Sequence, residues 1–226
     1  MIRLLTILAL TAALAAPAQA GEKRPMTVQD VLDLQVPSAL ALSPDGRHLA
    51  YVLSSRSFED NANASAIHVL DLKKGEDRAF AGAGGGHEGA PAWSPDGSQL
   101  AFTSDKSGAG QIWVAPRSGG EARQVTTLAT GGGDPRWLPD GTGLVFTSRV
   151  YAGCAGDADC NAKQLQADKD NPIKARVFRK LMYRHWDHWR DGRVAHLHVT
   201  SLDGAAVLDL MPNDTWGVTG DWALSA

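Results

Sequence analysis

The sequence predicts an all-β chain built from repeated four-stranded antiparallel sheets, and three observations predict it. The first is a recurring phrase: Ser43-Pro44-Asp45-Gly46, Trp93-Ser94-Pro95-Asp96-Gly97 and Trp137-Leu138-Pro139-Asp140-Gly141, with aspartates 51 and then 44 residues apart. Repeats of roughly 40–50 residues mark propellers and related arrays. The second is the apolar alternation that follows each phrase. The third is the glycine content, 24 of 226 residues and without a period of three. That exceeds the usual share of roughly 7% and suits turns better than helices.

Composition excludes two function classes. A net charge of −3, from 22 Lys+Arg against 25 Asp+Glu, excludes nucleic-acid binding through bulk positive charge. Hydrophobic residues at 43% and charged residues at 21% exclude wholesale disorder, because enough apolar surface exists to offset chain entropy.

Taken in order, residues 1–20 read as an address. Met1-Ile2-Arg3 places one positive charge ahead of an almost unbroken apolar run from Leu4 to Ala16. Ala18-Gln19-Ala20 then puts small residues before Gly21, the layout of a cleavable signal peptide. The run is shorter than the ~18–20 apolar residues of a membrane span. The chain is therefore expected in the periplasm or secreted, with no membrane span after cleavage. Residues 21–37 form a pre-propeller segment, with a short helix capped by Thr27 and carrying Val28, Val31 and Leu32 on its apolar side.

The repeats occupy 38–226. In each phrase Pro presets φ, Asp tolerates the turn and Gly takes the positive-φ position that closes a hairpin. The strand after each turn is His48-Leu-Ala-Tyr-Val-Leu53, Gln99-Leu-Ala-Phe-Thr-Ser104 and Gly143-Leu-Val-Phe-Thr-Ser148. Leu49 with Tyr51, Leu100 with Phe102 and Leu144 with Phe146 share a face at the period of two, and the residues between them are apolar too. Both faces of these strands are thus expected to be buried. A third strand follows at 66–70, 111–114 and 195–199, then a turn, then a fourth strand read at 123–126 and 206–208. Four strands per unit make a blade, and stacked blades make a β-propeller. The expected architecture is a partial β-propeller of about three blades, at about 38–82, 88–130 and 133–210, with 218–226 opening the next. A β-sandwich is the alternative fold, but it lacks the repeated phrase.

The third blade carries an insertion at about 150–192. Ile173, Val177 and Leu181 recur at helical spacing after Asn171-Pro172, which predicts a helix over 173–183. Cys154 and Cys160 are the two cysteines, and an isolated pair in an exported chain predicts a disulfide. The nearby Asp157 and Asp159 read as loop-solvating charges. His185, His188, His196 and His198 raise a zinc reading, but nothing in the sequence makes the two pairs converge, so no metal and no cofactor are expected.

The tandem Ser-Pro-Asp-Gly hairpins, together with residues 174–199 and the opening 26–34, resemble the propeller region of the prolyl oligopeptidase family of serine peptidases, in particular secreted bacterial dipeptidyl and acylaminoacyl peptidases. The resemblance covers the whole chain after the signal peptide. It implies a propeller that gates peptide substrates for a C-terminal α/β-hydrolase domain bearing a Ser-Asp-His triad. The sequence contains no Gly-x-Ser-x-Gly nucleophile elbow. It is therefore expected to be truncated before the catalytic domain, to carry no catalytic residue and to be inactive alone. In the resemblance, the insertion reaches the substrate: Asp187 would meet a cationic amine, and Arg184 or Arg190 a carboxylate. The plainer reading packs the tryptophans of this segment onto the propeller with the charges facing water. The alternative function is a Tol-like periplasmic propeller that binds other proteins.

Overall fold

The computed structural model describes residues 24–59, 61–80, 86–154, 156–173, 175, 178, 184–185, 188–189, 191–215 and 217. The expected signal peptide and the expected start of a further blade at 218–226 lie outside the described residues. The chain divides into two compact units, Met1–Leu34 and Gln35–Ala226.

In the first unit, helix α1 (Val28–Leu32) begins at a capping box. The Thr27 hydroxyl accepts the Asp30 N–H, and the Asp30 carboxylate accepts the Thr27 N–H at 2.7 Å. Arg24 adds an ion pair that, with Thr27, holds the Asp30 carboxyl below its ordinary range. No residue of α1 is buried, and Val28 is 75% exposed.

The second unit is a stack of four-stranded antiparallel sheets. The first sheet holds β1 (Val36–Leu42), β2 (His48–Ser57), β3 (Ala62–Asp71) and β4 (Glu76–Ala79). The second holds β5 (Glu88–Trp93), β6 (Gln99–Ser104), β7 (Gln111–Pro116) and β8 (Arg123–Gln124). The third holds β9 (Gly133–Trp137), β10 (Gly143–Tyr151), β13 (Arg193–Ser201) and β14 (Val207–Asp209), with the insertion between β10 and β13. Each of the three sheets runs in chain order from one edge to the other, as a propeller blade does.

The repeated phrase makes the first turn of every sheet. The Ser43 hydroxyl donates to Asp45 at 2.6 Å and accepts the His48 N–H at 2.9 Å, while Asp45 also takes the Arg47 N–H. Ser94, Asp96, Ser98 and Gln99 repeat this arrangement, and the hydrogen bonds from Ser94 and Ser98 lower the Asp96 carboxyl pKa to about 2. In the third phrase Leu138 replaces the serine, and Asp140 instead takes both the N–H and the hydroxyl of Thr142. Gly46, Gly97 and Gly141 close the turns at φ 67°, 68° and 73°, where a side chain would be strained.

The first strand of each of these sheets contains a feature that the sequence does not announce. Ala39, Ala90 and Asp134 adopt φ 49°, 47° and 51°, each four residues before the equivalent turn position. The pairing register slips there, between Ser38 and Ala41, between Gly89 and Ala92, and opposite Val145 to Thr147. One β-bulge thus recurs in each of the three four-stranded sheets and bends its first strand. Pro91 and Pro135 follow two of the bulges, where a missing N–H takes nothing from the ladder.

Burial corrects one expectation. Of the three strands that follow the turns only β6 is buried on both faces, as is β7 beside it. Its Leu100 and Phe102 join Ala50, Val52, Ile67 and Val69 in one core, and Ala101 joins Leu144 and Phe146 in the next. Strands β2 and β10 bury one face each, and Leu49 and Tyr51 stay half-buried. Only the middle sheet has a neighbour on each side among the described residues.

Glu88 is the buried charge of the first interface. Its carboxylate accepts the Ile67 N–H at 2.7 Å, and its carbonyl accepts the Ser65 hydroxyl. Burial pushes the carboxyl up, against the lowering effect of that N–H and of Lys106. A raised folded value means that the native state holds this proton more tightly than the unfolded chain. The Glu88 contribution is therefore most favourable below about pH 4 and declines as pH rises through the raised value. Glu88→Gln keeps an acceptor for Ile67 without the charge. Melting curves from pH 4 to 8 are expected to show a variant that gains on the parent as pH rises; parallel curves would exclude the assignment.

Candidate functional site

The insertion begins where β10 ends. A 3₁₀ turn (Ala152–Cys154) leads into α2 (Ala158–Asp170), so the helix stands before Asn171-Pro172 and not after it. Ile173, Ala175 and Phe178, the described residues of the expected helix over 173–183, are not helical, and the rest of that stretch, with Val177 and Leu181, lies outside the described residues. The apolar spacing misled because α2 has no apolar stripe to find. Asp157, read from sequence as a loop charge, is its N-cap and takes the Cys160 N–H at 3.0 Å. Asn171 ends the helix in an extended conformation, as expected of a residue before proline.

Polar contacts and one covalent bond fix α2 to the third sheet. Cys154 and Cys160 form the disulfide that the sequence predicts. The buried Asn161 takes the Tyr151 N–H at 2.8 Å and gives its own amide to the Asp157 carbonyl. The Tyr151 hydroxyl donates to Asp168 at 2.5 Å, and burial together with that carboxylate pushes its pKa to about 12. At the returning end, Asp191 pairs with Arg149 at 3.0 Å and with Arg193 at 2.6 Å. Burial raises the Asp191 carboxyl, but the two arginines outweigh it and keep it below its ordinary range.

Between these anchors, β11 (Arg184–His185) pairs with β12 (His188–Trp189), Arg184 opposite Trp189 and His185 opposite His188. The Trp189 ring stacks on Phe178 at 5.6 Å, and both remain partly exposed. Arg184 therefore sits in a two-stranded ribbon. Asp187 and Arg190, the other residues expected to face substrate, lie outside the described residues.

His196 and His198 share one buried face of β13, and neither is free for a metal in the way that their spacing suggests. The two ring nitrogens of His196 meet the Asp209 carboxylate at 2.8 Å and the Asp214 carbonyl at 2.9 Å. His198 stacks on Phe146 and bonds the His196 carbonyl, and burial lowers its pKa. Among the described residues no cluster of three or more His, Cys, Asp or Glu could hold a metal ion. Sequence reasoning missed Asp209 and Asn161, since only strand register and helix placement bring them to their partners. A cleft of about 220 Å³ beside the first sheet is lined by His48, Asp71, Lys74, Glu76, Arg78 and Arg117. Its cations are largely occupied, Lys74 by Glu76, Arg117 by Asp45 and Arg78 by the Arg117 carbonyl.

Comparison with known proteins places this geometry. Residues 24–155 match the model of the TolB beta propeller domain, more than half of the chain. The chain belongs to this β-propeller family. Within curated proteins it is 29% identical over 188 residues to dipeptidyl-peptidase 5 of Porphyromonas endodontalis, covering 81% of this chain and 25% of that one. It is 34% identical over 110 residues to the uncharacterized peptidase YuxL of Bacillus subtilis, covering 48% and 17%. The chain thus spans a quarter or less of the length of these relatives. Among solved structures, the acylaminoacyl peptidase of Pyrococcus horikoshii superposes with a TM-score of 0.55 at 17% identity, over 78% of this chain and 25% of the other. That likeness is one of fold. Among the described residues, no helix of this family member is long and apolar enough to cross a membrane.

Proposed function

We propose that this chain is the propeller portion of a periplasmic or secreted serine peptidase acting on oligopeptides, and that it gates and filters substrate for catalytic residues carried by a hydrolase domain. The observation that carries the reading is the similarity to dipeptidyl-peptidase 5 over 81% of the chain, which exceeds the stretch matched by the propeller family alone. The mounting of the insertion supports it. Helix α2 and the Arg149–Asp191–Arg193 cluster anchor both ends of the segment carrying Arg184, Asp187 and Arg190 to the third sheet. In this reading Asp187 meets the amino end of a peptide, and Arg184 or Arg190 meets a carboxylate. A Tol-like protein-binding propeller shares the fold but gives the insertion no task.

Two measurements on the purified chain test the proposal. A serine-directed fluorophosphonate is expected to leave it unlabelled, and aminoacyl, dipeptidyl and N-acyl chromogenic substrates are expected to remain intact. A labelled serine among these residues would overturn the non-catalytic assignment. An oligopeptide with a photoreactive group is expected to cross-link within 184–190, and Asp187→Asn is expected to weaken that capture roughly tenfold, the equivalent of about 1.4 kcal/mol. Cross-linking confined to other strands would remove the gating role.

A further inference from the structure

The cleft of about 220 Å³ opens where the first two sheets meet, and there the repeat is broken. Strand register matches the first interface to the second position by position. His48 pairs with Asp71 as Gln99 pairs with Pro116, and Val69 pairs with Arg78 as Val114 pairs with Arg123. Arg78 donates to the Arg117 carbonyl and Arg123 to the Leu202 carbonyl, so these two arginines play the same part at each interface. Glu76 and Glu121 correspond as well. Four positions differ. His48, Asp71, Lys74 and Arg117 stand where the second interface has Gln99, Pro116, Gly119 and Leu202. Leu202 packs against the core there, whereas Arg117 turns out to Asp45 at 3.3 Å. Packing one sheet on the next therefore requires none of these four ionisable side chains.

The extra groups lie on two walls. The first sheet contributes the row His48, Asp71 and Glu76, in register across β2, β3 and β4, and the second sheet contributes Arg117 and Ser118. The Nδ1 atom of His48 is buried without a hydrogen-bond partner, with Asp45 3.9 Å away, so the fold makes no use of this imidazole. The Lys74 and Lys73 N–H groups donate to one oxygen of Asp71 at 3.0 and 2.9 Å and hold its carboxyl below its ordinary range. The other oxygen, and the charge, are left to the cleft. Arg117 spends Nη1 on Asp45 and Arg78 spends Nη2 on a carbonyl, so each guanidinium keeps further donors.

A simple anion in this cleft lies against Asp71 and Glu76, and a simple cation against Arg78 and Arg117, so a ligand of one sign meets repulsion whichever way it lies. A molecule of both signs meets none when its cationic end faces Asp71 and its anionic end faces Arg117. The acceptors call for an ammonium with N–H groups to give, and the guanidinium fork matches a planar carboxylate. The volume is below the ~300–1,000 Å³ of pockets for drug-sized ligands, which sets the size class. We propose that this cleft binds a free α-amino acid, its ammonium on Asp71 with His48 as a further acceptor and its carboxylate on Arg117. The site does not rest on the peptidase reading.

Equilibrium dialysis of the full chain against radiolabelled L-alanine tests this. Saturable binding to a single class of site is expected, displaced by unlabelled L-alanine. N-acetyl-L-alanine lacks the ammonium and L-alaninamide lacks the carboxylate. Each is expected to displace the label about tenfold less well or worse, since a hydrogen bond to a charged group is worth at least that much. Arg117→Leu installs the residue that the second interface carries, so it is expected to fold as the parent does and to weaken binding about tenfold or more. Asp71→Asn tests the opposite wall with the same expectation. Arg117→Gln replaces the leucine variant if its circular dichroism departs from the parent. An absence of saturable binding, displacement by either single-charge analogue as strong as by L-alanine, or variants that bind like the parent would each overturn the proposal.

Discussion

Phe102→Ala is expected to destabilise the chain by about 3–5 kcal/mol, the range for removing a fully buried aromatic ring. Phe102 has no exposed surface and meets Phe80 edge-on at 6.0 Å. It lies at the centre of the first core, on the strand that separates the two cores, so the cavity has rigid sheet on both sides and little room to collapse. Whole domains are stable by only about 5–15 kcal/mol, so the variant is expected to lose much of its cooperative unfolding transition. Phe58→Ala is the control, since Phe58 is largely exposed and its loss is expected to fall within about 0.5 kcal/mol. Urea titration of both distinguishes the two sites. Equal midpoints would mean that the sheets do not pack through Phe102.

The second large effect is expected at Asp209. Its carboxylate bonds His196 at 2.8 Å and takes the Met211 N–H at 2.8 Å, and the His196 and Asp209 side chains are 0% and 2% exposed. Asp209→Ala leaves a buried imidazole nitrogen and a backbone N–H without their acceptor. Leaving a buried hydrogen-bonding group without its partner costs about 1–3 kcal/mol for each of the two. Replacing both partners with apolar residues is often neutral or better, so the double variant His196→Leu, Asp209→Leu is expected to recover most of the loss. Thermal melts of the single and double variants complete the cycle. A single variant as stable as the parent would show that the pair contributes nothing to holding β14 and the following segment.

Much of the architecture was legible because its signals are local. A Pro-Asp-Gly turn and the Leu-x-Phe strand after it lie within about ten residues of one another, and turn chemistry and period-two alternation act over that range. The disulfide was legible for the same reason, as two cysteines six positions apart close a short loop whatever surrounds them. The helix of the insertion was not. With the sequence Ala-Asp-Cys-Asn-Ala-Lys-Gln-Leu-Gln-Ala-Asp-Lys-Asp it offers no apolar face, and it is held by a cap, by Asn161 and by the disulfide. Pattern reading therefore passed over it and settled on the more apolar residues that follow.

By itself, then, the sequence determined the order of strands, the turns between them and the division into repeated sheets, because those depend on neighbours along the chain. The tertiary structure decided which faces are covered. Leu49 and Leu100 occupy the same repeat position, yet one is half-buried and the other has no exposed surface, because only the second has a sheet packed against it. It also decided the left-handed residues at Ala39 and Ala90, which no local preference of alanine favours and which accompany the bulges of β1 and β5. His196 and Asp209 belong to the same class. Thirteen positions separate them in the chain, and only the β13–β14 pairing, closed over by the segment that reaches the Asp214 carbonyl, turns a spaced histidine into half of a buried hydrogen-bonded pair.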